Sequence, residues 1–240
     1  MLRLFISDLH LEEARPDILR AFFQFLQDDA ATADELYILG DFFEVWIGDD
    51  DLRPLAVDVA EKLKTCAAAG TDIFIMQGNR DFLLGEAFCQ RADATLLNDP
   101  SVITLAGAPC LLMHGDSLCT RDENYMTFRR ESRSSAWQNK VLSLPLEERR
   151  ALARQLRMAS TEANSNKAED IMDVTPAEVV RELKAHQCLR LIHGHTHRPA
   201  RHTLSVDDQP AERIVLGDWD SAIWWLRADD HELSLLNRPL

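Results

Sequence analysis

Five short apolar runs in this chain each end in a cluster of Asp, Asn or His. Leu2 to Ser7 leads into Asp8-Leu9-His10, Leu36 to Leu39 into Gly40-Asp41, and Ile73 to Met76 into Gly78-Asn79-Arg80-Asp81. Cys110 to Met113 leads into His114-Gly115-Asp116, and Leu189 to Ile192 into His193-Gly194-His195-Thr196-His197. Apolar runs this short, closed by turn-forming residues, read as buried strands. In open α/β sheets, ligands gather beyond the carboxyl ends of strands. Five strands that end this way aim one set of polar side chains at a common point.

The segments between them set the expected layers. Ile18, Leu19, Phe22, Phe23, Phe25 and Leu26 cluster on one side of a helix, and Leu55 to Ala68 reads as a second helix closed by Gly70. Leu83 to Arg91 is a short helix, and Val102 to Leu105 forms a hairpin with Cys110 to Met113. Residues 120–186 hold no strand signal; helices are expected near 122–134, 146–160, 162–171 and 176–186, with Pro145 and Pro176 as punctuation. Strands return at His202 to Val206, Arg213 to Leu216, Ala222 to Leu226 and Leu233 to Leu236. The expectation is an α/β fold of two packed mixed sheets flanked by helices. Its core comprises residues 1–119 and 187–240, and 120–186 form an inserted helical cap.

Composition narrows the function. A net charge of -14 over 240 residues argues against general nucleic-acid binding, because phosphate backbones recruit Lys and Arg. The five cysteines are scattered and show no CxxC spacing, which fits a reducing compartment and neither a disulfide framework nor a thiolate zinc site. The opening apolar run is too short for a signal peptide, and no run of roughly 20 apolar residues exists to span a membrane. A cytoplasmic protein is expected.

The donor types suit a cation centre. Carboxylate and amide oxygens are hard ligands and imidazole is borderline, so Mn, Fe, Zn or Co fit better than copper(I), and the histidines argue against an all-oxygen magnesium site. A single cluster of this kind carries little weight, since an Asp after a strand usually caps a helix. Five in this order are another matter. Gly40, Gly78, Gly115 and Gly194 would let the backbone approach the ions closely. Ser7 and Ser117 are expected to hydrogen-bond the backbone, Asp81 and Asp116 to orient ligands, and His193 to be structural. Trp46, Trp137, Trp224 and Trp225 are read as core or interface.

Asp-x-His, Gly-Asp, Gly-Asn, His-Gly-Asp and Gly-His-x-His, spread from Asp8 to His197, resemble the calcineurin-like metallophosphoesterase superfamily. The resemblance implies one metal held by Asp8, His10, Asp41 and His197. A second would be held by Asp41, Asn79, His114 and His195, with Asp41 bridging. Most of that superfamily carries His after the Gly-Asn; here Arg80 stands there. An arginine has a pKa above about 12 and cannot act as a general acid, but it can grip a phosphate with two donors. The leaving group should then need charge stabilisation instead of a proton, which suits a pyrophosphate.

Further motifs resemble the UDP-2,3-diacylglucosamine diphosphatase family of lipid A synthesis. They are Gly40-Asp41-Phe42-Phe43-Glu44, Trp46-Ile47-Gly48-Asp49-Asp50, Gly78-Asn79-Arg80-Asp81-Phe82-Leu83, His114-Gly115-Asp116-Ser117-Leu118-Cys119-Thr120 and His193-Gly194-His195-Thr196-His197-Arg198-Pro199-Ala200. This implies two Mn2+ per chain and attack by activated water at the α-phosphorus, giving UMP and 2,3-diacylglucosamine 1-phosphate. The catalytic group would be Asp41, Asn79, Arg80 and His114. Substrate contacts would fall on Asn79, Arg80, Asp122, Ser160, Asn164, Lys167 and His195. Val141, Leu142, Leu144, Leu146, Leu152 and Leu156 could line an acyl chamber in the insert. Arg129, Arg130, Arg133, Arg149, Arg150, Arg154 and Arg157 form a basic patch there. That patch suggests a monomer attached peripherally to the anionic cytoplasmic face of the inner membrane. The alternatives are a soluble nucleotide pyrophosphatase or phosphodiesterase with the same metals, and a scaffold that has lost them.

Overall fold

Alternating burial along the strands builds a layered molecule. In the computed structural model, which describes residues 1–165, 171 and 173–240, β1 (Arg3–Ile6) turns Leu4 and Ile6 toward one core and Phe5 toward another. The same period of two operates in β2 (Glu35–Leu39), where Leu36 and Ile38 face one way and Tyr37 and Leu39 the other. These strands form a six-stranded sheet with β3 (Asp72–Met76), β4 (Ala94–Leu97), β10 (Ala222–Ala228) and β11 (Leu233–Pro239), ordered β11-β10-β1-β2-β3-β4. Pairing is parallel from β1 to β4 and antiparallel at β10 and β11.

The second sheet has five strands, ordered β5-β6-β7-β9-β8: β5 (Ser101–Leu105), β6 (Ala108–Leu112), β7 (Arg190–His193), β8 (Ala200–Val206) and β9 (Gln209–Val215). Between the sheets lie Phe5, Tyr37 and Met76 from one side and Cys110, Leu112, Ile192 and Ile214 from the other. The outer face of the first sheet is covered by α1 (Pro16–Asp28), α2 (Pro54–Ala68) and α3 (Glu86–Ala92). In α1, Pro16 opens the helix, where a missing N–H costs nothing. Ile18, Phe22, Phe25 and Leu26 then fall on its buried stripe.

Residues 123–165 form α4 (Glu123–Ser132), α5 (Ser135–Leu142) and α6 (Leu146–Ser165). The expected helix near 122–134 is followed by α5, a separate helix not foreseen, which Ser134 caps by accepting from the Trp137 N–H. The expected break near 160–162 is absent, because α6 runs on to Ser165; most of the expected helix 162–171 lies outside the described residues. α7 (Pro176–Ala185) turns away from these helices. Its Val179 and Leu183 pack with Leu111 and Leu191 on the outer face of the second sheet. Strand β4 was also not foreseen, and α3 begins three residues later than expected, after Gly85.

Candidate metal centre

All five clusters lie just past strand ends: Asp8 after β1, Asp41 after β2, Asn79 after β3, His114 after β6 and His195 after β7. Backbone hydrogen bonds staple the turns together. Asp8 N–H donates to Gly40 O at 3.1 Å, His10 N–H to Asp41 O at 3.0 Å, and Gly194 N–H to His114 O at 2.9 Å. The turns are tight. Asp8, His10, Asp41, His195 and His197 all sit at positive φ, between 49 and 67°, a region Asp, Asn and His tolerate better than most residues. A Cβ on Gly40, itself at φ +87°, would overlap the His114 ring, and one on Gly194 would overlap the Asp8 carboxylate.

Two groups of donors result. Asp8, His10 and His197 bring three ligand atoms within 4.8 Å of one another, and so do Asp41, His114 and His195. Asp41 faces both groups, with Oδ2 4.0 Å from His10 Nε2 and Oδ1 3.6 Å from His114 Nε2. Asn79 Oδ1 lies 2.8 Å from His114 Nε2 and 2.7 Å from His195 Nδ1. The structure thus brings together all seven residues named from the sequence.

Carboxylates and carbonyls behind the histidines fix which ring nitrogen is free. His10 Nδ1 lies 2.9 Å from Glu44 Oε2, His197 Nδ1 3.3 Å from Asp218 Oδ2, and His114 Nδ1 2.9 Å from Leu39 O. Each of those oxygens can only accept, so each Nδ1 carries a proton, and Nε2 is the nitrogen whose lone pair a cation would take. His10 Nε2 and His197 Nε2 then face each other at 3.4 Å, with Asp8 Oδ1 3.4 Å from the latter. Lone pairs meet so closely only around a cation or a proton, and the donor set therefore fits a bound divalent metal.

Charge state follows the same logic. Burial opposes ionisation of His114, yet Asp41, Asp8 and Asp116 push it up to about 9. Burial likewise opposes His197, but Asp218 and Asp8 raise it to about 10. Burial and the His114 charge push His195 down to about 4. Burial would raise Asp8, but the His197 hydrogen bond and the surrounding histidines hold it well below its usual range. Burial and neighbouring Asp41 push Asp81 up to about 6. Asp81 accepts from the N–H groups of Phe42, Phe43 and Gly78, at 2.7 to 3.2 Å, and so locks two of the turns. Asp116 holds Arg129 at 2.8 Å and takes a hydrogen bond from the Tyr125 hydroxyl. His193 is fully buried and pushed down to about 3 by burial and Arg213, as a structural histidine should be.

Above this floor opens a cavity of about 590 Å3. His10, Asp41, Asn79, Arg80 and His195 form its polar end; Trp46, Ile47, Phe82, Phe128, Trp137, Val141, Leu152 and Leu156 form its apolar walls. Arg80 donates its backbone N–H to Asp41 Oδ1 at 2.8 Å, and its buried Nε has no hydrogen-bond partner among the described residues. Asp122 and Ser160 line the cavity, and Asp122 also caps α4 by accepting from Tyr125 N–H. The Asn164 side chain and Lys167 lie outside the described residues.

Several expectations require correction. Leu142, Leu144 and Leu146 do not line the cavity, because their face of the insert turns elsewhere; Leu142 is exposed. Five of the seven insert arginines are spent within the protein. Arg129 is held by Asp116, Arg133 by Gly78 O, Arg149 by Asp50 and Ile47 O, Arg150 by Asp51, and Arg157 by Glu44. The Ser7 hydroxyl donates to Asp8 Oδ2 at 2.6 Å and not to backbone, and Ser117 Oγ has no hydrogen-bond partner among the described residues. Trp46 is core, packed on Phe43 and Phe88, and walls the cavity as well. Glu44, Asp218 and Tyr125 escaped notice. Glu44 follows Asp41 by three residues within a cited motif, and Asp218 follows Gly217, the same Gly-Asp pair that marks Asp41.

Comparison with known proteins agrees with this geometry. A model of the calcineurin-like phosphoesterase family matches residues 1–199. A UDP-2,3-diacylglucosamine hydrolase from Marinobacter nauticus is 57% identical over 100% of this chain and 99% of its own length. One from Pseudomonas aeruginosa is 58% identical over 94% of both. A solved archaeal phosphodiesterase shares the fold at a TM-score of 0.51 and 14% identity, covering 100% of both chains.

Proposed function

The chain belongs to the calcineurin-like phosphoesterase family, and from that membership we propose that it hydrolyses the pyrophosphate bond of UDP-2,3-diacylglucosamine, the compound named in its relatives, in lipid A synthesis. The products are UMP and 2,3-diacylglucosamine 1-phosphate. One observation carries the reading: the two donor groups and Arg80 form the polar end of a cavity whose remaining walls are apolar. A phosphate fits the first and acyl chains the second. A soluble nucleotide has nothing to fill the apolar half.

Asp8, His10, Asp41 and His197 would hold one divalent ion and Asp41, Asn79, His114 and His195 the other, both taken to be manganese. Such a pair supplies Lewis acidity and lowers the pKa of water. The chain's own part is orientation and charge. Glu44 and Asp218 set the His10 and His197 tautomers, and Ser7 and the His195 N–H fix the Asp8 carboxylate. Arg80, permanently cationic, stabilises charge developing on the departing phosphate without giving up a proton. Asp122, Ser160, Asn164 and Lys167 are the proposed sugar and phosphate contacts, and α4 to α6 form the cap.

Turnover with manganese in oxygen-18 water tests this. Labelled UMP is expected; unlabelled UMP would refute attack at the α-phosphorus, and no UMP would refute the substrate. We also assign the protein, as a monomer, to the cytoplasmic face of the inner membrane. Exposed Leu142 and Met158 on helices that wall the cavity support this, and failure to float with anionic liposomes at low salt would count against it.

A further inference from the structure

A second cavity, of about 230 Å3, lies on the other side of the His195-Thr196-His197 turn. Thr196 and Arg198 line both cavities, so this one turn is the wall they share. Asp173, Pro199, Ala200, His202, Arg213 and Val215 complete the second cavity. We propose that it binds the nucleoside half of the substrate, the uracil and ribose of the UMP product. The inference rests on the function proposed above and adds to it a place for the uridine.

Substrate geometry requires such a place. In-line displacement at a phosphorus held over the donor floor needs the two ends of a pyrophosphate diester to leave on different bearings. The apolar walls of the first cavity suit the diacylated sugar. The nucleoside must then leave across another edge of the floor, and the His195-Thr196-His197 turn is an edge with a cavity behind it. At about 230 Å3 that cavity is smaller than the ~300–1,000 Å3 of sites for drug-sized molecules. It suits one base with its ribose and would exclude the lipid.

The lining chemistry matches. Uracil offers two carbonyl acceptors and one N–H donor, and ribose offers hydroxyls. Thr196 Oγ1 is buried without a hydrogen-bond partner among the described residues. Among the described residues Arg213 makes no ion pair; its Nη1 lies 3.2 Å from His193 Nε2, which leaves further donors on the guanidinium. Asp173, held by Arg198 at 3.1 Å and by the Val174 N–H at 2.7 Å, supplies acceptors for N–H or hydroxyl groups. His202 sits directly opposite Arg213 in the β8–β9 register, so both side chains leave the sheet on the same face. Its ring offers a stacking surface. A half-buried arginine, a buried hydroxyl without a partner among the described residues and a tethered carboxylate together leave polar groups that a bound nucleoside would satisfy.

The test is direct binding of UMP, followed by calorimetry on the manganese-loaded protein, in wild type and in the variants His202→Ala and Arg213→Lys. His202 is an exposed strand residue, and Arg213→Lys keeps the charge while losing the fork, so folding should survive, as thermal melts would verify. UMP should bind the wild type and bind each variant on the order of tenfold more weakly, while affinity for 2,3-diacylglucosamine 1-phosphate stays within about twofold. No UMP binding to the wild type, or equal UMP binding by all three proteins, overturns the proposal. Weakening of both products together would also overturn it, since the residues would then act only on the fold. Turnover of UDP-2,3-diacylglucosamine by the same wild-type preparation judges the proposed function separately, because UMP titration needs no turnover.

Discussion

The floor of the site and the helices above it are held by different forces. Asp8, Asp41, Asp81, Asp116 and His114 are sealed from solvent, and each is fixed by several partners. The inserted helices contribute little to any core: Ser132 is the buried side chain of α4 and Val141 that of α5. They are fastened by guanidinium groups reaching down to the core, through Arg129, Arg133, Arg149, Arg150 and Arg157. A cavity with one rigid end and one ionically docked wall can fix a reacting phosphate and still admit acyl chains of varied shape. Glu44 joins both regions, touching His10 on the floor, Arg80 at its edge and Arg157 of α6.

Breaking the floor should have the largest effect. Asn79→Ala or His114→Ala is expected to lower kcat on UDP-2,3-diacylglucosamine by at least the roughly 10²–10³-fold that removal of one charge-stabilising donor costs. Activity within tenfold of wild type in either variant would mean that the floor is not the reacting centre. Glu44→Gln should weaken cation binding about 10–100-fold, as loss of a partner behind a ligating histidine does, measured by manganese titration of the metal-free protein. A rise in KM with cation affinity unchanged would instead assign Glu44 to the helices alone.

Arg149→Ala addresses the other region. It removes hydrogen bonds to Leu144 O, Ile47 O and Asp50 at 2.7 to 2.9 Å. KM should rise on the order of tenfold, since bonds to charged groups are worth about 1.5–3 kcal/mol, and kcat should barely move. A matching fall in kcat would show that the two regions are not separable.

The smallest effect is a pH dependence. His114 and His197 are raised from 6.5 to about 9 and about 10 in the metal-free fold. A raised histidine contributes stability that is fully present below 6.5 and is lost as pH rises through its folded value. Metal-free protein should therefore melt lower at pH about 10 than at pH about 7, by about 2–4 °C for each kcal/mol lost. Metal-loaded protein, whose histidines have already given up those protons, should lack this loss; identical pH profiles for the two forms would contradict it.

The floor was legible in the sequence because its chemistry repeats at strand ends, where neighbouring apolar runs give each Asp or His an address. Glu44 and Asp218 act through partners 34 and 21 positions away or in another element, and a lone carboxylate carries no such address. The helices were less legible for a related reason. Arginines spaced along an insert look like a solvated face, and only the fold reveals Asp50, Asp51 and Asp116 waiting beneath them. Strand β4 hid behind its half-exposed pattern, and α5 is a helix of 8 residues. Leu142 and Leu144 share a helical pattern with Val141, but the pattern does not say which side meets the cavity.

The left-handed turns at Asp8, His10, Asp41, His195 and His197 bear on how any mutational scan of this protein should be read. Backbone held in that region costs about 1–3 kcal/mol per residue, and β-branched replacements tolerate it worst. Alanine or valine at these positions would remove a donor and reshape a turn at once, so a dead variant reports two losses as one. Asparagine at Asp8 or Asp41 accepts the same turn with nearly the same outline and changes only charge. In a comprehensive substitution library, the gap between the asparagine and alanine columns at those two rows would separate the demands of the ion from those of the chain that cradles it.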